Sequence, residues 1–264
     1  MLQIKELHKV FNENTINENK VFDSFSLEVE KGDFITIIGS NGAGKSTLLN
    51  IIAGNILLDS GEITIDSTDI SDEDEHKRAK IIGRVFQDPS LGIAPNMNIL
   101  ENIALAENKG KRYGLKFGIN KKKITYYKEL LAELDLGLED KLYTKVSLLS
   151  GGQRQALTLL MSTMSNPKLL LLDEHTAALD PKTSIKIMDI TEKIIKETKI
   201  TTLMITHNLK QAIKTGNRLI MMHRGKVIID VKGKEKEELT TKKLMKLFEE
   251  ANLNGELSDR SLLG

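Results

Sequence analysis

With 264 residues, a net charge of +1 and no cysteine, the chain is long enough for one large α/β domain or one core with a smaller appendage. The charge balance gives no global attraction to nucleic acid or an anionic membrane, and the lack of thiols excludes disulfides, thiolate metal sites and a cysteine nucleophile. No run of about 18 apolar residues occurs and the N-terminus lacks the apolar core of a signal peptide, so the expectation is a soluble, intracellular protein.

The first thirty residues read as strands. Leu2, Ile4 and Leu7 precede a polar hairpin loop, Asn12 to Lys20, and Val21, Phe22, Phe25, Leu27 and Val29 partly alternate with polar residues, as a half-buried strand would. Residues Gly61 to Asp66 read as a further strand, which predicts a small antiparallel sheet.

Between them lies the most informative stretch. The apolar run Ile35 to Ile38 leads into Gly39-Ser40-Asn41-Gly42-Ala43-Gly44-Lys45-Ser46-Thr47 and then an amphipathic stretch ending at Gly54. This fits G-x-x-x-x-G-K-[ST] in its required strand–loop–helix setting. Gly39, Gly42 and Gly44 let successive backbone N–H groups converge on phosphate oxygens. The following helix adds the positive end of its dipole. Lys45 supplies a compact charge for the β- and γ-phosphates, and the Ser46 hydroxyl is placed to ligate Mg²⁺. The expectation is a nucleoside triphosphate site.

Downstream, the densely charged Asp72 to Lys80 reads as a solvated helix face. Ile81 to Phe86 reads as a strand leading into Gln87, and residues from about Asn98 to Leu142 read as mainly helical. Within them Lys109 to Lys123 is a basic tract without an acid, a solvated loop or a contact for lipid headgroups or a partner. Ser150 is an N-cap candidate for a helix running to about Ser165. Leu169 to Leu172 reads as a fully buried parallel strand ending in two acids, Asp173 and Glu174. Asp180-Pro181 opens another helix. Ile200 to Thr206 and Leu219 to His223 read as strands, with a turn at Arg224-Gly225 before Val227 to Asp230. The tail after Lys232 is charged, with an amphipathic segment around Leu244 to Phe248 and a last ten residues that read as disordered.

Carboxylates at the end of a buried parallel strand stand at the ligand-binding edge of an α/β sheet. Asp173 can hold Mg²⁺, and Glu174 can polarise a water for in-line attack on a γ-phosphate. Gln87 offers a neutral amide to the metal or the attacking water. Ser150 with Gly151 and Gly152 makes a second anion-binding helix start.

In this order, the P-loop, Gln87, Leu149-Ser150-Gly151-Gly152-Gln153, Leu172-Asp173-Glu174 and Thr206-His207 make the sequence resemble the ATPase subunit of ABC transporters over nearly its whole length. The resemblance implies a P-loop NTPase with a mainly parallel sheet, a small antiparallel β subdomain and a helical subdomain at about 88–165 carrying the signature. The ATPase domain would span 1–232, with 233–264 a charged C-terminal helix and tail. It also implies that His207 contacts the γ-phosphate and orients Glu174. Two subunits would pair head to tail, so that Ser150 to Gln153 close on the ATP of the other.

Adenine stacks on a tyrosine in many relatives; here Phe11 is the candidate, with its π face and no hydroxyl. The stretch after the glutamate is often Pro-Thr-Ser-Ala-Leu-Asp; here it is His175-Thr176-Ala177-Ala178-Leu179-Asp180. His8, His76, His175 and His223 match no family position and read as structural or solvated.

The implied cofactors are ATP and Mg²⁺. The implied partners are integral-membrane permease subunits, docked at a segment including Pro95 to Glu101, a solute-binding protein outside the membrane, and a second ATPase subunit, with no nucleic acid. The protein would sit on the cytoplasmic face of the membrane through the permease. The patterns Asp88 to Met97 and His175 to Pro181 resemble importers of the tryptophan/tyrosine type. An export or lipoprotein-release ATPase, and a non-transport ATPase of the same type, are the alternatives.

Overall fold

The computed structural model describes residues 1–111 and 118–251. The middle of the basic tract and the tail expected to be disordered lie outside the described residues. The chain divides into two units, one formed by Met1–Arg78 with the chain from Thr201 on, the other by Ala79–Ile200.

The first unit opens with β1 (Leu2–Phe11), β2 (Asn19–Val29), β3 (Phe34–Gly39), α1 (Lys45–Ala53), β4 (Ser60–Ile65), β5 (Thr68–Asp69) and the short α2 (Glu75–Arg78). The hairpin expected from the alternation is present. Leu2 pairs with Val29 and Ile65, and Ile4 with Leu27 and Ile63, so the apolar residues of three antiparallel strands share one buried face. With β5 the order is β2-β1-β4-β5.

Asp72 to Lys80 is not simply a solvated face. Arg78 is fully buried: its Nε donates to Glu73 O (2.7 Å), Nη1 to Ile51 O and Ile52 O (2.7 and 3.1 Å), and Nη2 to Ser71 O (2.8 Å). Ile51 and Ile52 lie in the last turn of α1, where carbonyls lack intrahelical donors and a cation is favoured. Sequence hydropathy counts the charge of Arg78 and misses these four acceptors.

The second unit contains β6 (Ile82–Val85), α3 (Ile99–Glu107), α4 (Ile124–Ala132), α5 (Gly151–Thr163), β7 (Leu169–Asp173) and α6 (Pro181–Thr198). Among the described residues between 98 and 142 there is less helix than expected. After α4 the chain makes turns, with Asp135 and Gly137 in left-handed conformation (φ 51° and 65°). The described flanks of the basic tract are engaged: Lys123 pairs with Glu107, which also accepts from Tyr127 Oη (2.5 Å), and Lys109 donates to Ile82 O (3.4 Å). Buried Asn102 ties Ala94 and Asn98 together through its amide, fixing the entry to α3.

The chain then returns to the first unit with β8 (Thr201–Ile205), α7 (Leu209–Lys214), β9 (Arg218–His223), β10 (Lys226–Lys232), α8 (Lys234–Glu237) and α9 (Thr241–Ala251). Here β3 is parallel to both β8 and β9, and β10 closes antiparallel on β9. The amphipathic segment after Lys232 packs into this core, with Leu239 and Leu244 beside Ala212, Leu219, Met221, Ile229 and Val231. No helix among the described residues is long and apolar enough to cross a membrane.

Candidate functional site

In the first unit, every residue of β3 is buried, and the chain must then reverse into α1 through the glycine loop. Gly39, Gly42 and Gly44 have φ of 148°, 78° and 94°, values that L side chains rarely adopt. At Gly39 space agrees with conformation: a Cβ would lie 2.1 Å from Met222 O. Helix α1 has no side-chain cap at its N-terminus and no acid in its first turn. By contrast, the side chains of Asn98, Ser150, Asp180 and Asn208 cap α3, α5, α6 and α7. Helix α1 thus starts without a side-chain acceptor, and its positive dipole end follows directly on the glycine loop, as in helix starts that receive an anion. Lys45, only 6% exposed, donates from Nζ to Gly39 O (2.8 Å) and Ser40 O (2.9 Å), which holds its charge over the loop.

The parallel pairing Ile37↔Ile205 brings His207 off the sheet at the same carboxyl edge as Gly39. His207 is exposed, and both its neighbours are tied down. The Thr206 hydroxyl accepts from Asn208 N (3.1 Å) and donates to Gln211 Oε1 (2.9 Å), while Asn208 Oδ1 accepts from Gln211 N (3.1 Å). Buried His223, at the end of β9, reaches Ser40 Oγ with Nδ1 at 3.5 Å, a neighbour of the loop that its lack of a family position concealed. Val21 and Phe22 of β2 lie against Gly44, and Phe11 pairs with the same strand two residues earlier, at Asn19. That is roughly 7 Å of strand from Val21. Phe11 is half-buried, with the Lys9 ammonium 5.3 Å from its ring centroid.

In the second unit, β6 and β7 are parallel with Val85↔Leu172, so Gln87 and the Asp173–Glu174 pair leave one carboxyl edge. Gln87 is exposed; Asp173 and Glu174 are half-buried. Glu174 has φ 46°, a left-handed conformation costing about 1–2 kcal/mol for a side-chain-bearing residue. Such strain concentrates at functional sites. Sequence reading missed two supports here. The Arg84 guanidinium lies 3.8 Å from the Asp173 carboxylate and 4.4 Å from the Phe86 ring centroid. Buried Gln155 donates from Nε2 to Phe86 O (3.3 Å), beside Gln87.

The helix start at Ser150 is a capping box: Ser150 Oγ accepts from Gln153 N and Gln153 Oε1 from Ser150 N, both at 3.2 Å. A Cβ at Gly152 would lie 2.2 Å from the Thr183 methyl carbon, so any larger residue there would force Thr183 to shift.

The ABC transporter family profile matches residues 22–177, more than half of the chain. The chain belongs to the ABC transporter family. It is an ATP-binding subunit that hydrolyses ATP, and its fold is that of the P-loop NTPase cassette, with the mainly parallel sheet, antiparallel β subdomain and helical subdomain. It is 54% identical over 251 residues to the tyrosine transport ATP-binding protein of Clostridioides difficile (strain R20291), covering 95% of this chain and 100% of that one. The xylose/arabinose import ATP-binding protein of Sulfolobus acidocaldarius is 34% identical, covering 91% of this chain and 92% of its own. Among solved structures, an ATP-binding cassette captured as a dimer in a post-hydrolysis state with ADP and Pi superposes with TM-score 0.75 at 30% identity. That alignment covers 88% of this chain and 98% of that cassette. An ABC transporter cassette in its ADP conformation gives TM-score 0.74 at 28% identity, covering 97% and 99%.

Where ABC transporter ATPases often have proline after the glutamate, this chain has His175, 2% exposed. Its Nε2 is 3.1 Å from Thr191 Oγ1, whose own proton goes to Ile187 O (2.7 Å). Nε2 therefore carries the hydrogen and donates, which staples the chain after Glu174 to α6.

Burial pulls the His175 pKa from 6.5 to about 4. Between those values the unfolded chain binds a proton that the folded chain refuses, so stability is full above pH 6.5 and is lost as pH falls towards 4. The shift corresponds to roughly 3 kcal/mol. Urea unfolding of the nucleotide-free protein at pH 7 and pH 4 should show this excess acid loss in wild type and not in His175→Gln. Equal pH dependence in both would exclude the assignment.

Proposed function

We propose that this subunit powers import of tyrosine, or a closely related aromatic amino acid, through a separate membrane permease. The observation that carries the ATPase half is the P-loop cradle: three glycines in left-handed conformation, an uncapped α1 and a lysine held over the loop. The solute half is supported by the 54% identity to a tyrosine transport ATP-binding protein over that protein's whole length.

In this reading Lys45 neutralises the β- and γ-phosphates and the amides of Gly39 to Thr47 cradle them. Phe11 stacks on adenine, Glu174 activates the attacking water, and His207 contacts the γ-phosphate. Ser46, Gln87 and Asp173 are the residues that would hold Mg²⁺, which would supply charge neutralisation on the phosphates. A hydroxyl, an amide oxygen and a carboxylate are the hard oxygen donors that this ion takes. Among the described residues no cluster of three or more His, Asp or Glu could hold a metal alone. That suits an ion bound through one carboxylate and the substrate's own phosphates.

Gly151 and Gly152 are read as facing the nucleotide of a second subunit, paired head to tail. The subunit acts at the cytoplasmic face of the membrane, attached through its permease near Pro95 to Glu101, with a solute-binding protein delivering the cargo.

Proteoliposomes carrying the cognate permease, with the subunit and ATP inside, provide the test. Labelled tyrosine presented with its binding protein should accumulate with this subunit and not with its Glu174→Gln variant. No accumulation of tyrosine, tryptophan or phenylalanine alongside active ATP turnover would overturn the solute assignment.

A further inference from the structure

Lys236 is a buried cation outside the nucleotide site. It is 3% exposed, and its Nζ donates to Ala212 O (2.7 Å), Ile213 O (2.6 Å) and Thr215 O (3.0 Å). All three donors of the ammonium are thereby used. The acceptors form the carboxyl end of α7, where carbonyls lack intrahelical partners and the helix dipole favours a positive charge.

Helix α7 is six residues long, roughly 9 Å. Its other end begins at Asn208, directly after His207, and Gln211 in the same helix holds both Thr206 and Asn208. Ala212 O also accepts from Thr36 Oγ1 (3.0 Å), and Thr36 lies in β3, three residues before Gly39. One carbonyl thus joins the strand that feeds the P-loop, the helix that follows His207, and the chain after β10.

A helix this short has little stability of its own. Beyond the packing of Leu209, Ala212 and Ile213 on the core, its placement depends on what grips its ends. The amino end is gripped by the Thr206–Asn208–Gln211 network, and the carboxyl end by Lys236.

We infer that Lys236 is a positioning residue for ATP hydrolysis, fixing His207 through α7. This rests on the reading of His207 as the γ-phosphate contact. The segment after β10 is then a working part of the ATPase, because it supplies the side chain that holds α7 in place.

The test is a double-mutant cycle on the purified full chain, using wild type, Lys236→Met, His207→Ala and the double variant. Misplacing a group by about 1 Å can cost up to about 10²-fold. Lys236→Met should therefore lower kcat at least roughly tenfold, with KM for ATP changed by less than about twofold. In the His207→Ala background the same change should cost nothing further, since its effect runs through His207. Amide hydrogen exchange across residues 209–215 should also accelerate in Lys236→Met.

Wild-type kcat in Lys236→Met, or losses that multiply in the double variant, would overturn the inference. Wild-type turnover in His207→Ala alone would instead overturn the reading of His207, and the inference with it. If Lys236→Met does not fold, Lys236→Gln, which keeps amide donors, carries the same comparison.

Discussion

Lys45→Ala should reduce ATP turnover by roughly 10²–10³-fold, the usual cost of removing one preorganised electrostatic donor, and should weaken ATP binding as well. Two losses combine. On the proposed reading the β- and γ-phosphates lose a full positive charge, and Gly39 O and Ser40 O lose the ammonium they accept from. Lys45→Arg separates the two. It keeps the charge, but its planar fork cannot replace a compact ammonium held between two carbonyls in a site only 6% exposed. Lys45→Arg should therefore fall much closer to Lys45→Ala than to wild type. Fluorescent nucleotide binding and phosphate release on the purified chain measure both quantities. Turnover within about threefold of wild type in Lys45→Ala would remove the P-loop from the chemistry, given the magnitude such donors normally carry.

The elements legible in the sequence are those whose determinants are local. Glycine spacing gave the P-loop, Ser150 gave the start of α5, and Asp180-Pro181 gave that of α6, because caps and turns are decided within four residues. The alternation of Leu2, Ile4, Leu27 and Val29 gave the hairpin for the same reason. Less legible were the polar groups that function inside the fold. Arg78 finds carbonyls 26 and 27 residues away, His175 finds Thr191 across 16 residues, and Lys236 finds Ala212 across 24. By residue type the two cations read as surface and His175 as structural or solvated, since the burial of each is stabilised by partners that only the tertiary fold supplies. Arg84 was similarly unremarkable until parallel pairing of β6 with β7 set it opposite Leu171, two residues from Asp173.

Glu174→Gln should bind ATP as wild type does and hydrolyse it about 10²–10⁴-fold more slowly, the usual contribution of a positioned general base. Glutamine keeps the size and one acceptor oxygen of the carboxylate, and it meets the same left-handed backbone at φ 46°, so ground-state geometry is preserved while the proton acceptor is lost. The consequence for assembly follows from the two helix starts. The end of α1, which lacks a side-chain cap, and the Gly151–Gly152 start of α5, where the Ser150 box takes up only the Gln153 amide, are proposed to address one triphosphate from its two sides. On the head-to-tail proposal these ends come from different subunits, so an ATP that cannot be hydrolysed holds the pair together. Light scattering of Glu174→Gln should therefore show monomer without nucleotide and dimer with Mg-ATP. Adding Ser150→Arg should abolish the dimer while leaving nucleotide binding by each P-loop intact, because a bulky cation then fills the entrance to α5. A variant that binds Mg-ATP and stays monomeric at saturation would contradict self-sufficient pairing. Repeating the measurement with the permease present then decides whether the membrane partner supplies the alignment, in which case the dimer appears only in its company, or whether α5 does not face nucleotide at all.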